Sequence, residues 1–303
     1  MMEPKGTVAK ANGIDIWYET FGDKKDPAFL LLMGGCCQAV LWPVDFCTKL
    51  SEKGFFVIRF DYRDAGLSTC FDFEVAPYTF FDMAKDAIGL LDSLKIQKAH
   101  LFGLSTGGAL AQVLAAHFPS RVETIALIAT SCDFRPLNKG LGLHKNVVDS
   151  GSLSPPSKRY FQAMNTLFKT PAKNNEEALT QRMTLWQVLN GSKIPLPEAS
   201  ERAMHELFLK RLRYPEGLNN HLLANVCSEE LLLEASNNIH VPTVIFQGSE
   251  DPIFQIDHGQ ELHRRINGST LYILQGHGHV PNPYFFDFII DKLLCTKSFK
   301  EAV

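Results

Sequence analysis

Residues 99–110 read AHLFGLSTGGAL, which predicts a short apolar strand, a tight turn that holds Ser105, and the first turn of a helix. Glycines stand two residues before and two residues after this serine, in the pattern Gly-x-Ser-x-Gly. That spacing is typical of a nucleophile elbow, where the serine backbone is strained and glycine lets the strand and the helix approach closely. The hydroxyl then stands at the C-terminal edge of a sheet, beside a helix N-terminus that favours negative charge. Because glycine and serine are also common in ordinary turns, this interpretation depends on partners elsewhere in the chain.

The composition limits the class of protein. The chain has 303 residues, 45% hydrophobic and 21% charged, which suits one large domain or one domain with an inserted second layer. A net charge of −3 without a cluster of Lys and Arg argues against a nucleic-acid partner. Seven scattered cysteines without a Cys-x-x-Cys pair predict reduced thiols and a cytoplasmic location, rather than a zinc site or a disulfide framework. We recognise no signal peptide, no membrane-spanning run and no metal, nucleotide or flavin motif, so we expect no cofactor.

Strand and helix patterns alternate as far as Asp133, which predicts an α/β fold with a mostly parallel sheet wrapped by helices. Asn12 and Gly13 predict a hairpin between the first two strands. Thr79 and Asp82 have the form of a capping box at the start of a helix. The apolar runs predict eight strands, at residues 7–11, 14–20, 29–33, 55–60, 99–104, 122–129, 242–247 and 270–274.

The alternation stops at residues 134–237, where only helical patterns occur. We therefore predict a core of residues 1–133 and 238–303 and a helical cap of residues 134–237, inserted after the sixth strand. The alternative is that these are ordinary packing helices without a role at the site. If the cap covers a pocket, the candidate residues that line it are Phe161, Met164, Phe168, Trp186 and Phe208.

Ser105, Asp251 and His279 each follow a buried strand of the predicted sheet. The carboxyl ends of the strands are where open α/β sheets build their sites. A serine hydroxyl is a poor nucleophile and needs an adjacent base, which an imidazole supplies and a carboxylate orients. The three residue types therefore predict a catalytic triad.

Two members of this predicted triad have rivals. Asp133 also comes directly after a strand, and Glu250 is the neighbour of Asp251; the short turn GSEDP at residues 248–252 favours Asp251. His277 competes with His279 and is equally suited to a structural role.

A tetrahedral intermediate needs two donors for its oxyanion. The backbone N–H of Thr106, the residue after the serine, is one candidate. Gly35, in the loop after the third strand, is the other, although Gly34 and Gly35 also suit a plain turn. Cys36 and Cys37 beside this loop are interpreted as packing residues, with a redox role as the alternative.

Five segments together resemble the α/β-hydrolase superfamily: MGG at 33–35, DYRDAGLS at 61–68, GLSTGG at 103–108, GSEDP at 248–252 and GHGH at 276–279. The resemblance implies that fold and supports Ser105, Asp251 and His279 as the triad.

LWP at 41–43 and RFDYRD at 59–64 are similar to the family of aclacinomycin methylesterase. That likeness implies a capped serine esterase, with Gly35 and Thr106 as oxyanion donors. We interpret Asp61, Arg63 and Asp64 as structural turn residues that hold the site loops. The cap sequences of the family vary, so no substrate is implied.

The leading hypothesis is a serine hydrolase that cleaves a small or medium carboxylic ester, such as a methyl ester, through an acyl-enzyme. C–C bond hydrolysis, amide cleavage or perhydrolysis on the same triad is the second hypothesis, and a non-enzymatic ligand receptor is the third. The expected partner is a small-molecule ester, and a homodimer is left open.

Overall fold

A mixed eight-stranded sheet forms the centre of the protein. The computed structural model describes residues 5–143 and 152–295, apart from the side chains of residues 168 and 169. The strands β1 to β8 are Thr7–Ala11, Ile14–Phe21, Ala28–Leu32, Phe56–Phe60, Ala99–Leu104, Val122–Ile128, Thr243–Gly248 and Thr270–Leu274.

The order of the strands across the sheet is β1-β2-β4-β3-β5-β6-β7-β8. β1 pairs with β2 and β2 with β4 in antiparallel fashion, and the other neighbours are parallel. Asn12 and Gly13 form the predicted hairpin turn, both with positive φ. The predicted mostly parallel eight-stranded sheet is confirmed. Every residue of β3, β4, β5 and β7 is buried, because helices cover both faces of the sheet.

Helices wrap this sheet. The helices α1 to α11 are Val44–Ser51, Phe80–Ser93, Thr106–His117, Arg135–Gly140, Lys158–Lys169, Asn175–Asn190, Glu198–Lys210, Asn220–Val226, Glu229–Ala235, Ile256–Arg265 and Phe286–Cys295. The predicted capping box opens α2, where Thr79 and Asp82 bond each other's backbone N–H. α1 and α11 meet through Phe46 and Phe286, whose ring centroids are 4.9 Å apart.

Six helices, α4 to α9, lie between β6 and β7, and the described residues of this segment contain no strand. The apolar stripes of the sequence predict α5, α6 and α7. They do not predict α4, α8 and α9, because each of these helices has only six or seven residues and so shows too little periodicity.

One buried carboxylate ties this helical segment to the sheet. Asp61, directly after β4, accepts hydrogen bonds from the N–H of Ala39 at 2.8 Å and of Leu67 at 3.1 Å. Arg211, at the end of α7, donates from Nη2 to the same carboxylate at 2.7 Å. The guanidinium of Arg211 also stacks over the Trp17 ring, 3.9 Å from its centroid. A strand end, two loops and the end of α7 therefore share one charged centre.

Removing the cation of this pair should destabilise the fold. Arg211→Met leaves the Asp61 carboxylate buried without a countercharge, which we expect to lower the free energy of unfolding by about 3–5 kcal/mol. Arg202→Met, which removes the exposed pair with Glu176, should change it by less than about 1 kcal/mol. Urea unfolding of both variants measures the difference, and equal effects would contradict the assigned role of Asp61.

Candidate active site

Ser105 stands in a sharp turn between β5 and α3, with φ 56° and ψ −119°. A side chain at Gly103 would overlap the Gly107 carbonyl, so glycine is required where the strand and the helix touch. The Ser105 N–H donates to the Ile128 carbonyl at 3.1 Å, and its own carbonyl accepts from the Thr130 hydroxyl at 2.7 Å. These bonds hold the serine in a left-handed conformation, as the elbow pattern predicts.

Asp251 and His279 form a buried hydrogen-bonded pair. The Asp251 carboxylate lies 2.9 Å (Oδ2) and 3.1 Å (Oδ1) from His279 Nδ1. Its Oδ1 also accepts from the N–H groups of Ile253 at 2.8 Å and Phe254 at 3.0 Å, which fix the carboxylate in its turn. Because Nδ1 donates to the carboxylate, the second ring nitrogen, Nε2, is free to accept a proton.

Ser105 and His279 line the same cavity. No hydrogen bond joins the serine hydroxyl to the imidazole among the described residues. Such bonds are often long in ligand-free enzymes and shorten when substrate binds. The structure therefore brings Ser105, Asp251 and His279 to one edge of the sheet.

The rival acids lie in other environments. Asp133 is paired with Arg135, whose Nη2 lies 2.6 Å from its Oδ2. The Glu250 carboxylate accepts from the N–H of Ser192 at 2.7 Å, from its hydroxyl at 2.8 Å, and from Lys193 at 3.1 Å. These hydrogen bonds lower the pKa of Glu250 to about 2. Glu250 thus joins the turn of residues 248–252, which carries Asp251, to the loop after α6.

The rival base, His277, is buried and does not line the cavity that contains Ser105. Its Nδ1 donates to the Gly278 carbonyl at 2.7 Å, and its ring packs edge-on against Phe285. Its Nε2 has no partner among the described residues, and burial lowers the pKa of His277 to about 4. The imidazole is therefore neutral at physiological pH.

The loop after β3 lies against the start of α3. A Cβ at Gly35 would come within 2.6 Å of Thr106 Oγ1, and one at Gly34 within 3.6 Å of Ser105 Cβ. The backbone N–H groups of Gly35 and Thr106 donate to no described residue. Two free donors consequently stand close to the serine.

His221 of α8 holds this loop in place. Its Nδ1 accepts the N–H of Cys36 at 3.0 Å, and its Nε2 donates to the Arg63 carbonyl at 2.7 Å. Cys36 has a positive φ of 57°, so its conformation depends on such support. Burial lowers the pKa of His221 and favours the neutral ring that can accept from Cys36. Sequence reasoning missed His221, because the bond spans 185 positions of the chain.

The cavity has a volume of about 400 Å³ and is mostly apolar. Of the predicted lining residues, Met164 and Trp186 face it. Phe161 and Phe208 do not line it, which corrects that expectation: Phe161 packs against Gly140, and Phe208 is fully buried. The side chain of Phe168 lies outside the described part of the chain.

A second concave region, of about 580 Å³, lies between the sheet edge and α7 and contains none of the predicted triad. It is lined by Arg59, Glu201, Met204 and Leu207, among others. The smaller cavity is the candidate site, because the reactive side chains converge there.

Cys36 and Cys37 also line the cavity that contains Ser105 and His279. Burial raises the pKa of the Cys36 thiol to about 12 and that of Cys37 to about 11. Both thiols are therefore protonated at neutral pH, and a thiol is a weak nucleophile compared with a thiolate.

A model of the α/β-hydrolase fold matches residues 27–284. The chain belongs to the α/β-hydrolase family. It is 32% identical over 274 residues to rhodomycin D methylesterase DnrP of Streptomyces peucetius, covering 88% of this chain and 89% of that one. The predicted superfamily and its methylesterase-like character are confirmed, and the protein is a hydrolase of this fold.

Other members of the family are similar over nearly the whole chain. 3-Oxoadipate enol-lactonase 2 of Acinetobacter baylyi is 26% identical over 292 residues, covering 94% of each chain. The solved structure of 2-hydroxy-6-oxo-6-phenylhexa-2,4-dienoate hydrolase from Rhodococcus superposes with a TM-score of 0.76 at 19% identity, covering 99% of this α/β-hydrolase and all of that chain. In the described ranges, no helix has the length and apolarity to cross a bilayer, and no cluster of His, Cys, Asp or Glu suits a metal ion.

The neutral, buried His277 should make stability depend on pH. Its folded pKa of about 4 lies below the value of about 6.5 in an unfolded chain, so the folded state binds fewer protons between these values. The free energy of unfolding should therefore fall as the pH drops from about 6.5 to about 4. His277→Gln should make this slope shallower by up to about 1.4 kcal/mol per pH unit, measured by urea unfolding at several pH values.

The slope is compared with that of His240→Gln, which removes an exposed imidazole and so controls for the loss of a histidine as such. A wild-type slope in His277→Gln would contradict the pKa assigned to His277, whatever the absolute stability of the variant.

Proposed function

We propose that the protein is a serine hydrolase that cleaves a small or medium carboxylic ester through an acyl-enzyme. Ser105 is the nucleophile, His279 the general base and then acid, and Asp251 the residue that orients the imidazole. One observation carries the proposal: the Asp251–His279 pair, bonded at 2.9 Å, opens on the same cavity as the strained Ser105. The likeness to a methylesterase supports an ester, and a methyl ester is the form that we favour.

The first half of the reaction forms the acyl-enzyme. Ser105 Oγ attacks the carbonyl carbon of the ester while His279 Nε2 takes the hydroxyl proton, and the carbonyl electron pair moves to oxygen. The tetrahedral intermediate collapses, the carbonyl re-forms, and the bond to the alcohol oxygen breaks. His279 Nε2 returns the proton to that oxygen, so that the alcohol leaves.

The second half repeats these steps with water. His279 Nε2 takes a proton from the water as its oxygen attacks the acyl carbon, and the proton then passes to Ser105 Oγ as the acid is released. Asp251 keeps Nδ1 protonated throughout and stabilises the imidazolium that forms twice in each cycle.

The backbone N–H groups of Gly35 and Thr106 form the proposed oxyanion hole. Both lack a described partner and stand beside Ser105. Thr106 also begins α3, whose N-terminal dipole favours the developing negative charge. His221 is the positioning residue of this hole, because it holds the N–H of Cys36 and so the loop that carries Gly35.

Residues 134–237 are proposed to act as a cap that selects the substrate. Side chains of α5 and α6, including Met164 and Trp186, form the wall opposite Ser105. The cap is joined to the catalytic loops, since the N–H of His279 donates to the Leu189 carbonyl at 2.6 Å. Gly278 allows this contact, because a side chain there would overlap the same carbonyl.

Ser105→Ala tests the nucleophile. The wild-type protein should hydrolyse p-nitrophenyl esters and react with a fluorophosphonate probe, and the variant should lose labelling and at least about 1000-fold of kcat. Ser200→Ala, which alters an exposed serine of α7, should keep both properties. Labelling that persists in Ser105→Ala, or ester cleavage at the wild-type rate, would refute the proposal. A wild-type protein that is labelled but cleaves no ester would favour the C–C, amide or perhydrolysis alternatives.

His221→Phe tests the positioning of the oxyanion loop. Because the oxyanion is absent from the bound ester and forms only in the tetrahedral intermediate and its flanking transition states, kcat should fall by about 10- to 100-fold while KM changes by less than about threefold. His221→Gln, which can both accept from Cys36 and donate to Arg63, should recover much of kcat. Thermal unfolding of both variants is the control, and a kcat loss that only follows a loss of folded protein would exclude this role.

A further inference from the structure

Arg182, on α6, is the only Arg or Lys among the described residues that line the cavity with Ser105. Leu185, Trp186 and Leu189 follow it at helical spacing and line the same cavity, so one face of α6 presents an arginine among apolar side chains. In the sequence, Arg182 is a single arginine within an apolar stripe, and this pattern could have indicated that it faces the cavity.

Among the residues that the structure describes, the guanidinium of Arg182 has no carboxylate partner. No Asp or Glu oxygen of the described residues lies within 4.0 Å of its nitrogens. Its Nε donates to His205 Nδ1 at 3.3 Å, and its Cζ stands 3.5 Å from the centroid of the Phe208 ring. Most of its five N–H donors therefore remain available to the cavity.

The neighbouring titratable groups do not neutralise this cation. Burial, together with Arg182 itself, lowers the pKa of His205 to about 3, so His205 is a neutral acceptor. Burial raises the pKa of Glu201, on α7, to about 7, which leaves this acid only partly ionised at neutral pH. The thiols of Cys36 and Cys37 across the cavity are protonated.

Arg182 is half-buried, and a partly desolvated charge without a countercharge is costly, so proteins normally pair such groups. Desolvation lowers the pKa of Arg182 to about 10, a value at which the guanidinium is still charged at neutral pH. The cavity thus contains a permanent cation that His205 and the Phe208 ring contact but that no described carboxylate neutralises. An anion from outside the chain would offset it, through the planar, two-pronged geometry in which arginine binds carboxylates.

We propose that Arg182 is a specificity-determining residue that binds a carboxylate of the substrate, so that the preferred ester carries a free acid group besides the scissile bond. The apolar walls then hold the carbon chain between the two groups, in a cavity of about 400 Å³ that suits a small ligand. This inference rests on the proposed ester hydrolysis at Ser105.

Two probe esters that differ in one charge test the proposal: mono-p-nitrophenyl glutarate, which is anionic, and its neutral methyl ester. In Arg182→Met, kcat/KM should fall by about 30-fold or more on the anionic probe and by less than about threefold on the neutral one. On the anionic probe, kcat/KM of Arg182→Lys should lie between the values of the wild type and of Arg182→Met, because lysine keeps the positive charge but loses the two-pronged geometry of the guanidinium. Arg202→Met, an exposed cap arginine paired with Glu176, is the matched control and should change neither rate.

Binding gives a second measurement that does not depend on turnover. Glutarate should bind Ser105→Ala in calorimetry, and the affinity should fall by about 30-fold or more when Arg182→Met is added. Equal losses on both esters by Arg182→Met and by Arg182→Gln, or glutarate binding that is unaffected by these changes, would overturn the proposal. If neither ester is cleaved while glutarate binding still depends on Arg182, the ester function fails and the carboxylate site stands.

Discussion

The close contact of three backbone segments beneath Ser105 is the constraint on which the site depends. Gly103 and Gly107 leave no room for a side chain between β5, the start of α3 and the end of β3. A left-handed serine costs of order 1–3 kcal/mol and persists because its surroundings fix it. Here the Ile128 carbonyl accepts from the N–H of Ser105, and the Thr130 hydroxyl donates to the Ser105 carbonyl. The sheet therefore sets the direction of the hydroxyl before any substrate arrives.

The arginines of the framework and the arginine of the candidate site differ in their partners. Three largely buried arginines each meet a carboxylate outside the candidate site: Arg59 with Glu19, Arg63 with Asp86, and Arg211 with Asp61. In each pair the charges offset each other's desolvation, and they tie distant segments together. Arg182 meets a neutral histidine and an aromatic face instead. That difference in surroundings, rather than its burial, marks it as a group directed at a ligand.

The sheet and its edge could be predicted from sequence, because the buried strands are largely apolar runs, interrupted at positions such as Arg59 and His100. Ser105, Asp251 and His279 come soon after such runs. The groups supplied by the cap could not be predicted in the same way. His221 reaches Cys36 only after the chain folds back over the sheet, and nothing local signals that contact. Phe208 shows the limit of helical periodicity, which marks a buried face without telling whether a cavity or a neighbouring helix covers it.

The hydrogen bonds between the helical segment and the loops that carry Asp251 and His279 have a consequence for exchanging that segment. The backbone N–H of His279 donates to the Leu189 carbonyl, and Glu250, beside Asp251, accepts from Ser192. A different helical segment placed between β6 and β7 would have to supply the same partners, or the loops that carry Asp251 and His279 would lose their support. Residues 189–193 and these two loops therefore form one structural unit, and the inward side chains of α5 and α6 can change without disturbing it.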